Sequence, residues 1–335
     1  MDAALISPAK ATVLGIPTVI FSFIIPLVGV GIFTYIIALR LKPLVKACPD
    51  PRLNRPAVRF FKMIKYAVGQ YRHPRYMDAG IIHIIIFAGF LMLSLRSITL
   101  VMLGLSSNYV LPGMSGVAGQ IYTVLKDLAG TAVLVACAAA LYRRIIVKPQ
   151  RYAVPARYGK EHTWEAVLVL LLISGLVTCD MLFEGSRTAA GIQKGLNKEI
   201  LLPMTGTWLV THILTVVPVH TLQKLHLGAY FSHELIFFFF LCFLPLGKHF
   251  HVLTSLPNVF FMKLDKGTIK PVKWGVEDQS LDELESFGVK TYEDFTWKHM
   301  LDFFSCADCG RCSDHRWFRA VRRRRTPGRR VHRHR

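Results

Sequence analysis

Charged residues are scarce in this chain, at 19% of 335 residues, while hydrophobic residues make up 52% and the mean hydropathy is +0.38. Soluble domains carry about 25% charged residues, so the shortage of charge argues against a soluble globular fold. The apolar residues also form blocks of about 20 positions, the length needed to cross the hydrocarbon core of a bilayer. The sequence therefore predicts an all-α integral membrane protein.

Acidic residues are missing from the last 20 positions, 316–335, which hold ten arginines. This tail accounts for half of the formal net charge of +20, since the rest of the chain carries 31 basic and 21 acidic residues. An excess of that size is ordinary for the cytoplasmic loops of a membrane protein. The basic balance therefore favours contact with membrane lipid and does not predict a nucleic-acid partner.

Five apolar blocks have the length of a transmembrane helix. They cover residues 11–39, 79–103, 122–142, 164–183 and 230–246. The first block has neither a basic flank nor a small-residue cleavage site, so we expect an uncleaved span rather than a signal peptide. A sixth block, 205–220, is diluted by threonine, histidine and Pro218, and we expect it to lie at the outer face or to re-enter from it.

Lysine and arginine are concentrated on one side of this arrangement. The segment 40–75 holds ten of them and 143–160 holds six, whereas 106–120 holds none. Loops rich in lysine and arginine stay in the cytoplasm. With five spans, this distribution places the N-terminus in the periplasm and the C-terminus in the cytoplasm of a prokaryotic inner membrane.

Histidines lie at the edges of two of these blocks: His73 and His83 at the second, and His233, His249 and His251 around the last. Ionisable residues inside membrane spans are candidates for function, and neutral imidazoles on facing helices are suited to axial ligation of haem iron. On one continuous helix, 18 residues make five full turns, so His233 and His251 would share a face about 27 Å apart while His249 points away. The alternative is that each histidine only occupies the membrane interface.

A spacing of ten between the first two histidines, and of eighteen between His233 and His251, resembles the four haem ligands of the nitrate reductase gamma subunit, a five-helix di-haem cytochrome b. Further similarities, to the branch of that family fused to heterodisulfide-reductase-type iron-sulfur modules, lie in segments 80–83, 245–251 and 257–261. The resemblance covers residues 1–261. It implies a five-helix transmembrane bundle with two b haems, and the chain contains no Cys-x-x-Cys-His motif for covalent haem attachment.

The resemblance also implies how the haem ligands pair. In that family the outer haem takes one ligand from each helix and the inner haem takes the other two, which pairs His83 with His233 and His73 with His251. Depth within the predicted spans favours His83 with His251 instead, because His83 lies near the inner start of its block and His233 near the outer start of its own. His249 is an alternative to His251. His73 is the weakest of the four, since a proline follows it and it could serve only as a helix cap.

Cysteines are few, seven in all, and three of them lie three residues apart in a polar segment: Cys306, Cys309 and Cys312. A Cys-x2-Cys-x2-Cys run is typical of a [4Fe-4S] site of the bacterial ferredoxin type, which takes a fourth cysteine. The expected fourth position is occupied by Arg316. We therefore interpret residues 262–315 as a cytoplasmic linker followed by the start of an iron-sulfur module with an incomplete ligand set.

The tail after this motif is open to three interpretations. Its composition, with arginine and no lysine, indicates a frameshift over 316–335, in which case the chain is the N-terminal part of a larger enzyme. A native polybasic tail held at anionic lipid is the second interpretation. In the third, His315 completes a Cys3His zinc site.

The favoured function is that of a quinone-linked oxidoreductase that passes electrons between menaquinone or ubiquinone and cytoplasmic iron-sulfur centres. The resemblance implies a carrier such as electron-transfer flavoprotein as partner. Arg96 and Lys126, near the outer ends of their spans, are candidate quinone contacts, although such side chains commonly reach only to the interface. The competing hypothesis is a proton-coupled transporter in which the histidines and Asp180 relay protons. An inactive N-terminal fragment is the third.

Overall fold

The computed structural model describes residues 4–75, 77–149, 163–196, 201–265 and 291–307. These residues form an all-α bundle with a two-stranded hairpin near the N-terminus. The hairpin pairs β1 (Thr12–Val13) with β2 (Ile16–Pro17) through Leu14 and Gly15, which both have positive φ, as a tight two-residue turn requires. The helices are α1 (Thr18–Lys46), α2 (Pro56–Met63), α3 (Met77–Leu105), α4 (Gly116–Tyr142), α5 (Thr163–Gln193), α6 (Gly206–Leu214), α7 (Val219–Phe243), α8 (His251–Phe260) and α9 (Trp297–Phe304).

Five helices of the described residues are long and apolar enough to cross a bilayer, namely α1, α3, α4, α5 and α7. The predicted number of long apolar helices is therefore confirmed, and their bounds differ from the predicted blocks. Helix α1 begins at Thr18 rather than at residue 11, because the hairpin occupies the residues before it. Helix α5 continues to Gln193 rather than ending at residue 183.

The segment 205–220 contains the short helix α6 and does not form a sixth long helix. Helix α6 has nine residues, or about 14 Å, less than half of the roughly 30 Å hydrocarbon core. The side chain of Thr205 caps its first turn by accepting a hydrogen bond from the backbone N–H of Trp208. The segment then turns at Pro218 into α7.

The last long helix differs most from its prediction. Helix α7 begins at Val219, eleven residues before the predicted block, so His233 lies near its middle and not at its start. The helix ends at Phe243, and two short 3-10 turns around Pro245 and Gly247 separate it from α8. His233 and His251 therefore do not share one continuous helix. The expectation that they share a helix face about 27 Å apart is wrong.

Contacts between side chains define one end of the bundle. The guanidinium of Arg40, near the end of α1, lies 5.4 Å from the ring centroid of Phe250, which follows α7. Glu165, in the first turn of α5, accepts a hydrogen bond of 3.1 Å from the backbone N–H of Lys248. Helices α1 and α7 thus end where α5 begins. We call this the basic end, because it also carries the lysine- and arginine-rich segment 40–75.

The core of the bundle lies along α5 and α7. Helix α7 packs against α1 and α5, and α3 packs against α4. Leu100, Phe183 and Tyr230 form one buried cluster. Gly104 allows α3 to approach closely here, because a Cβ atom at this position would collide with the hydroxyl of Tyr230 and with Ser22. The side chains of α1 are mostly exposed, as expected for a helix that faces lipid.

Several predicted site residues lie outside the described residues. They are Cys309, Cys312, His315 and the tail 316–335.

Candidate functional site

His233 is the most deeply placed of the predicted haem ligands. Its side chain is 4% exposed, and its ring lies parallel to that of Phe237, one turn further along α7. Its Nδ1 atom is buried and lies 3.5 Å from a carboxylate oxygen of Glu234, with no closer polar partner among the described residues. A buried imidazole normally has both nitrogens engaged, so His233 has capacity for a further ligand.

Polar atoms without hydrogen bonds surround this histidine on the faces of α1 and α7. Glu234 is fully buried, and neither of its carboxylate oxygens accepts a hydrogen bond from a described residue. The hydroxyls of Tyr230 and Ser22 are likewise buried without a hydrogen-bond partner in the described part of the chain. Such groups cost free energy when they stay without a partner.

His73 and His83 lie together at the basic end. His73 belongs to a short 3-10 turn that precedes α3, and His83 lies in the second turn of that helix. Their rings are stacked, with centroids 4.4 Å apart and an interplanar angle of 18°. No iron atom fits between two rings in this contact. The two side chains would have to separate in order to serve as axial ligands.

His249 and His251 lie just beyond α7, with ring centroids 6.1 Å apart. The Nδ1–H of His251 donates to the carbonyl oxygen of Lys248 at 2.8 Å, which leaves the lone pair on Nε2 available to a metal. The Nδ1 of His249 lies 3.1 Å from Glu165. Burial lowers the pKa of His251 below its usual value and lowers the pKa of His249 to about 4. Both imidazoles are therefore neutral at pH 7, the form that binds metal.

The observed helix bounds change which of the predicted haem ligands lie at similar depths in the bundle. His83 lies six residues into α3, about 9 Å from the basic end, and His233 lies ten residues before the end of α7, about 15 Å from that end. His73 and His251 both lie outside the long helices at the same end. The reason for pairing His83 with His251 thus disappears, because it assumed that His233 lies near the outer start of its helix.

Arg96 and Lys126 do not lie near the ends of their helices. Each is about nine or ten residues, roughly 14 Å, from the end opposite to the basic end. Both are buried, at 9% and 3% exposure. The alternative that they reach out to the membrane interface is therefore wrong.

These two cations belong to a buried ion-pair network between α3, α4 and α5. Arg96 Nε donates to Asp180 at 2.7 Å, and its Nη2 donates to Glu184. Lys126 Nζ lies 3.0 Å from Asp127 and 3.5 Å from Asp180. The hydroxyl of Thr207, on α6, donates to Asp127 at 3.0 Å, and Arg187 pairs with Glu184 at 3.4 Å. Two buried cations thus face three buried carboxylates, and the third cation, Arg187, is 46% exposed.

Residues 291–307, which we call the extension, dock against the basic end. The backbone N–H of Cys48 donates to the carbonyl of Phe295, and that of Trp297 donates to the carbonyl of Cys48, at 2.9 and 3.0 Å. The indole N–H of Trp297 donates to the carbonyl of Asp50 at 3.0 Å. Thr296 caps α9, with its hydroxyl accepting from the N–H of His299. The extension is therefore fixed to the loop that follows α1.

The far end of α9 contacts the segment that carries His251. The ring of Phe304 lies 5.5 Å from that of Phe250, and the guanidinium of Arg40 lies within 5.5 Å of both rings. The hydroxyl of Thr254 donates to the carbonyl of Phe304 at 3.2 Å. Cys306 follows two residues later and is exposed. The first cysteine of the predicted cluster motif is thus held beside the histidines of the basic end.

The donor set fits a b-type haem in its chemistry. Within the residues that the structure describes, no three histidine, cysteine, aspartate or glutamate side chains converge on a metal site. A haem asks less of the protein, because the porphyrin supplies four nitrogens and the chain needs to add only two axial ligands. His233, buried in an apolar bundle, and His251, whose Nδ1–H is taken by the Lys248 carbonyl, each offer one imidazole of that kind.

Sequence reasoning missed most of the ion-pair network and all of the extension's docking. One signal for the network was present, since Asp180 and Glu184 lie four residues apart on an otherwise apolar helix and therefore share a face. Their partners could not be read from the spacing. The contact between Cys48 and the extension joins residues nearly 250 positions apart, and no local pattern predicts it.

Comparison with known proteins gives two curated relatives. The chain is 26% identical over 290 residues to a probable iron-sulfur-binding oxidoreductase, FadF, of Bacillus subtilis, covering 85% of this chain and 38% of that protein. It is 25% identical over 315 residues to the EtfAB:quinone oxidoreductase of Syntrophomonas wolfei, covering 92% of this chain and 42% of that protein.

No protein-family model and no solved structure matches the chain. The chain thus spans about two fifths of the length of the curated relatives it matches. Both relatives are named oxidoreductases, which agrees with the expectation of an oxidoreductase and, at this coarser level, with the resemblance to the fused iron-sulfur type.

Proposed function

We propose that this chain is the membrane part of an oxidoreductase that passes electrons between a quinone, menaquinone or ubiquinone, and iron-sulfur centres through two b-type haems. The observation that carries the proposal is the docking of the extension, with Cys306, against the same end of the bundle that holds His73, His83 and His251. A cluster motif and a set of histidines on a membrane bundle suit electron transfer between lipid and aqueous phase. The names of both relatives support the same class of reaction.

His83 and His233 would hold one haem, and His73 and His251 the other, with His249 as the alternative to His251. This pairing is supported by the helix bounds, which place the first two histidines inside the long helices and the other two outside them. Bound haems supply one-electron carriers at two depths of the bundle. The chain's own contribution is to orient the imidazoles, as the hydrogen bond from His251 to the Lys248 carbonyl does.

Phe250 and Phe304 would set the separation between His251 and Cys306. Both aromatic rings pack on Arg40, and Phe250 is almost fully buried, so this contact is rigid. Cys306, with Cys309 and Cys312, would hold a [4Fe-4S] cluster at three of its four irons. A fixed extension keeps such a cluster at one distance from the membrane bundle.

Arg96 and Lys126 remain proposed contacts for the quinone, and their burial changes what that proposal requires. Each already donates to carboxylates of the network. A quinone carbonyl would therefore have to accept from an N–H that is not used in these pairs, or displace one carboxylate. Flavoprotein and quinone partners are proposed because one relative is named an EtfAB:quinone oxidoreductase.

The basic end would face the cytoplasm, because it carries the lysine- and arginine-rich segment 40–75. The membrane would be the prokaryotic inner membrane. Reporter fusions at residue 291 test this orientation, and a periplasmic signal would contradict it.

An absorption spectrum of the purified full chain tests the haem proposal. We expect a sharp reduced α band and a pyridine haemochrome of the b type. Replacing His233 with alanine should remove at least one haem, because an iron loses an axial nitrogen. His220→Ala is the matched control, since His220 is an exposed histidine on the same helix. Equal haem content in both variants would overturn the assignment of His233, and the absence of any haem from the wild type would overturn the cytochrome.

The competing function, a proton-coupled transporter, depends on Asp180 as a proton relay. In the structure Asp180 is held between Arg96 and Lys126, an environment that favours its charged form and opposes a relay. A chain without haem that moves protons across vesicles in response to a gradient would favour the transporter.

A further inference from the structure

A cavity of about 550 Å³ lies at the basic end, between the membrane bundle and the extension. Four separate segments build its wall: the loop after α1, the segment before α3, the end of α8, and α9. A ligand in this cavity would touch both the membrane helices and the extension that carries Cys306. It is separate from the buried surroundings of His233 and from the ion-pair network.

The wall of this cavity is positively charged. Its side chains include four cations, Arg52, Arg72, Lys263 and Lys298, and one carboxylate, Asp302. Asp302 is engaged by Lys298 at 2.6 Å, and Arg52 is engaged by a neighbouring aspartate at 2.8 Å. The wall itself thus carries more cations than carboxylates. A concave surface with such an excess attracts anions.

Arg72 is the cation most available to a ligand. Its guanidinium lies 4.8 Å from the ring centroid of Tyr66, which also lines the cavity. Among the described residues no carboxylate lies within ion-pair distance of it, so its donors are open to an anion. An arginine on an aromatic ring keeps its planar edge free for the two oxygens of a phosphate.

The residues that line the cavity all lie outside the five long helices. Helix α2, next to it, exposes Phe60 and Phe61, and the partly buried Lys62 follows them. Exposed phenylalanines beside basic residues are typical of a helix that lies in the membrane interface. Val259 and Met262 give the cavity wall an apolar part as well. An anionic head joined to an apolar chain matches both kinds of lining.

We propose that this cavity binds the phosphate group of an anionic phospholipid, and that the bound lipid ties the extension to the membrane bundle. Arg72 holds the phosphate from the side of the bundle, and Lys298 lies on the wall that α9 provides. Basic pockets at the cytoplasmic side of membrane helices bind such headgroups in general. His73, one of the proposed haem ligands, also lines the cavity, so haem content is followed beside lipid retention. The proposal makes the position of Cys306 dependent on lipid composition.

The test compares the full chain in nanodiscs of phosphatidylcholine alone and of phosphatidylcholine with phosphatidylglycerol. Native mass spectrometry measures retained phosphatidylglycerol, and hydrogen exchange measures protection of the backbone amides of α9. We expect retention of the anionic lipid and slower exchange in α9 when it is present. Arg72→Gln should lower retention about fivefold, the effect of removing one basic residue beside an anionic headgroup.

Lys46→Gln is the matched control, because Lys46 is an exposed cation at the end of α1 and does not line the cavity. Equal retention in the Arg72 and Lys46 variants would overturn the proposal. Adding inorganic phosphate to the chain in phosphatidylcholine nanodiscs distinguishes a lipid phosphate from a free phosphate. Protection of α9 by inorganic phosphate alone would assign the cavity to a free anion. Loss of haem with unchanged lipid retention in Arg72→Gln would assign it to haem carboxylates, and would also overturn the lipid.

Discussion

The ion-pair network inside the bundle and the cavity at the basic end differ in how many carboxylates face their cations. In the network, Arg96 and Lys126 each have two carboxylate partners. At the cavity, cations exceed carboxylates. The difference follows from the surroundings, because an unpaired charge in a low-dielectric interior costs several kcal/mol, whereas water and lipid headgroups solvate it at the end of a helix. Under the lipid proposal, the excess of cations marks the place where this protein binds an anion.

The largest expected effect comes from unbalancing the network. Asp180→Asn leaves Arg96 and Lys126 facing one carboxylate fewer while keeping the shape of the side chain. We expect a loss of about 3–5 kcal/mol in the free energy of unfolding, the usual effect of removing one partner of a buried ion pair. Thermal unfolding in nanodiscs measures it.

Asp78→Asn is the control for this prediction. Asp78 pairs with Arg143 at 2.9 Å but is 78% exposed, and exposed pairs contribute about 0–1 kcal/mol. If the two substitutions destabilise the protein equally, burial does not govern the network and the comparison between the two regions fails.

A smaller effect is expected where the extension docks. Phe304→Ala removes the ring that packs on Phe250 and under Arg40. For a half-buried phenylalanine we expect the docked state to lose about 2 kcal/mol, somewhat less than a core substitution. The extension should then become more sensitive to protease, with the membrane helices unchanged.

Phe303→Ala provides the comparison, because Phe303 is the neighbouring residue and is 55% exposed. It should change protease sensitivity little, since exposed side chains contribute within about 0.5 kcal/mol. Equal cleavage of both variants would mean that Phe304 does not hold the extension.

The smallest effect concerns the surface of the basic end. Arg55 donates to Asp265, and this hydrogen bond lowers the pKa of Asp265. A lowered carboxylate pKa stabilises the fold at neutral pH, and this contribution disappears as the pH falls and the carboxylate becomes protonated. Asp265→Asn should therefore match the wild type in acid and differ slightly from it at neutral pH. If Asp265→Asn lowered the free energy of unfolding more than Asp180→Asn does, the exposed pair would matter more than the buried one, against this prediction.

Much of the fold could be predicted from hydropathy alone. The five long helices follow from apolar blocks of bilayer length, because a membrane span must satisfy its own backbone hydrogen bonds and can hardly be anything but a helix. The ends were less predictable. Helix α7 extends back to Val219 through polar residues such as His226, which is buried against the Phe183 carbonyl, and a window of apolar residues does not recognise that extension.

The candidate site was predictable in its residue types and not in its arrangement. The sequence indicated His73, His83, His233 and His251 by spacing, and the cluster motif by its cysteines. It misjudged Arg96 and Lys126 as residues near the helix ends, because an isolated cation in an apolar block gives no information on its partners. Asp180 and Glu184 are their partners only because α3, α4 and α5 pack together.

By itself the sequence determined the number of long helices, the basic character of one end and the kinds of side chain available for metal and iron-sulfur chemistry. These properties depend on composition and on neighbours within a few turns. Tertiary structure alone decided that Cys48 pairs with Phe295, that Phe304 contacts Phe250, and that the cations of four segments surround one cavity. Such contacts join residues that are distant in sequence, and the free energy that selects them arises only when the helices pack.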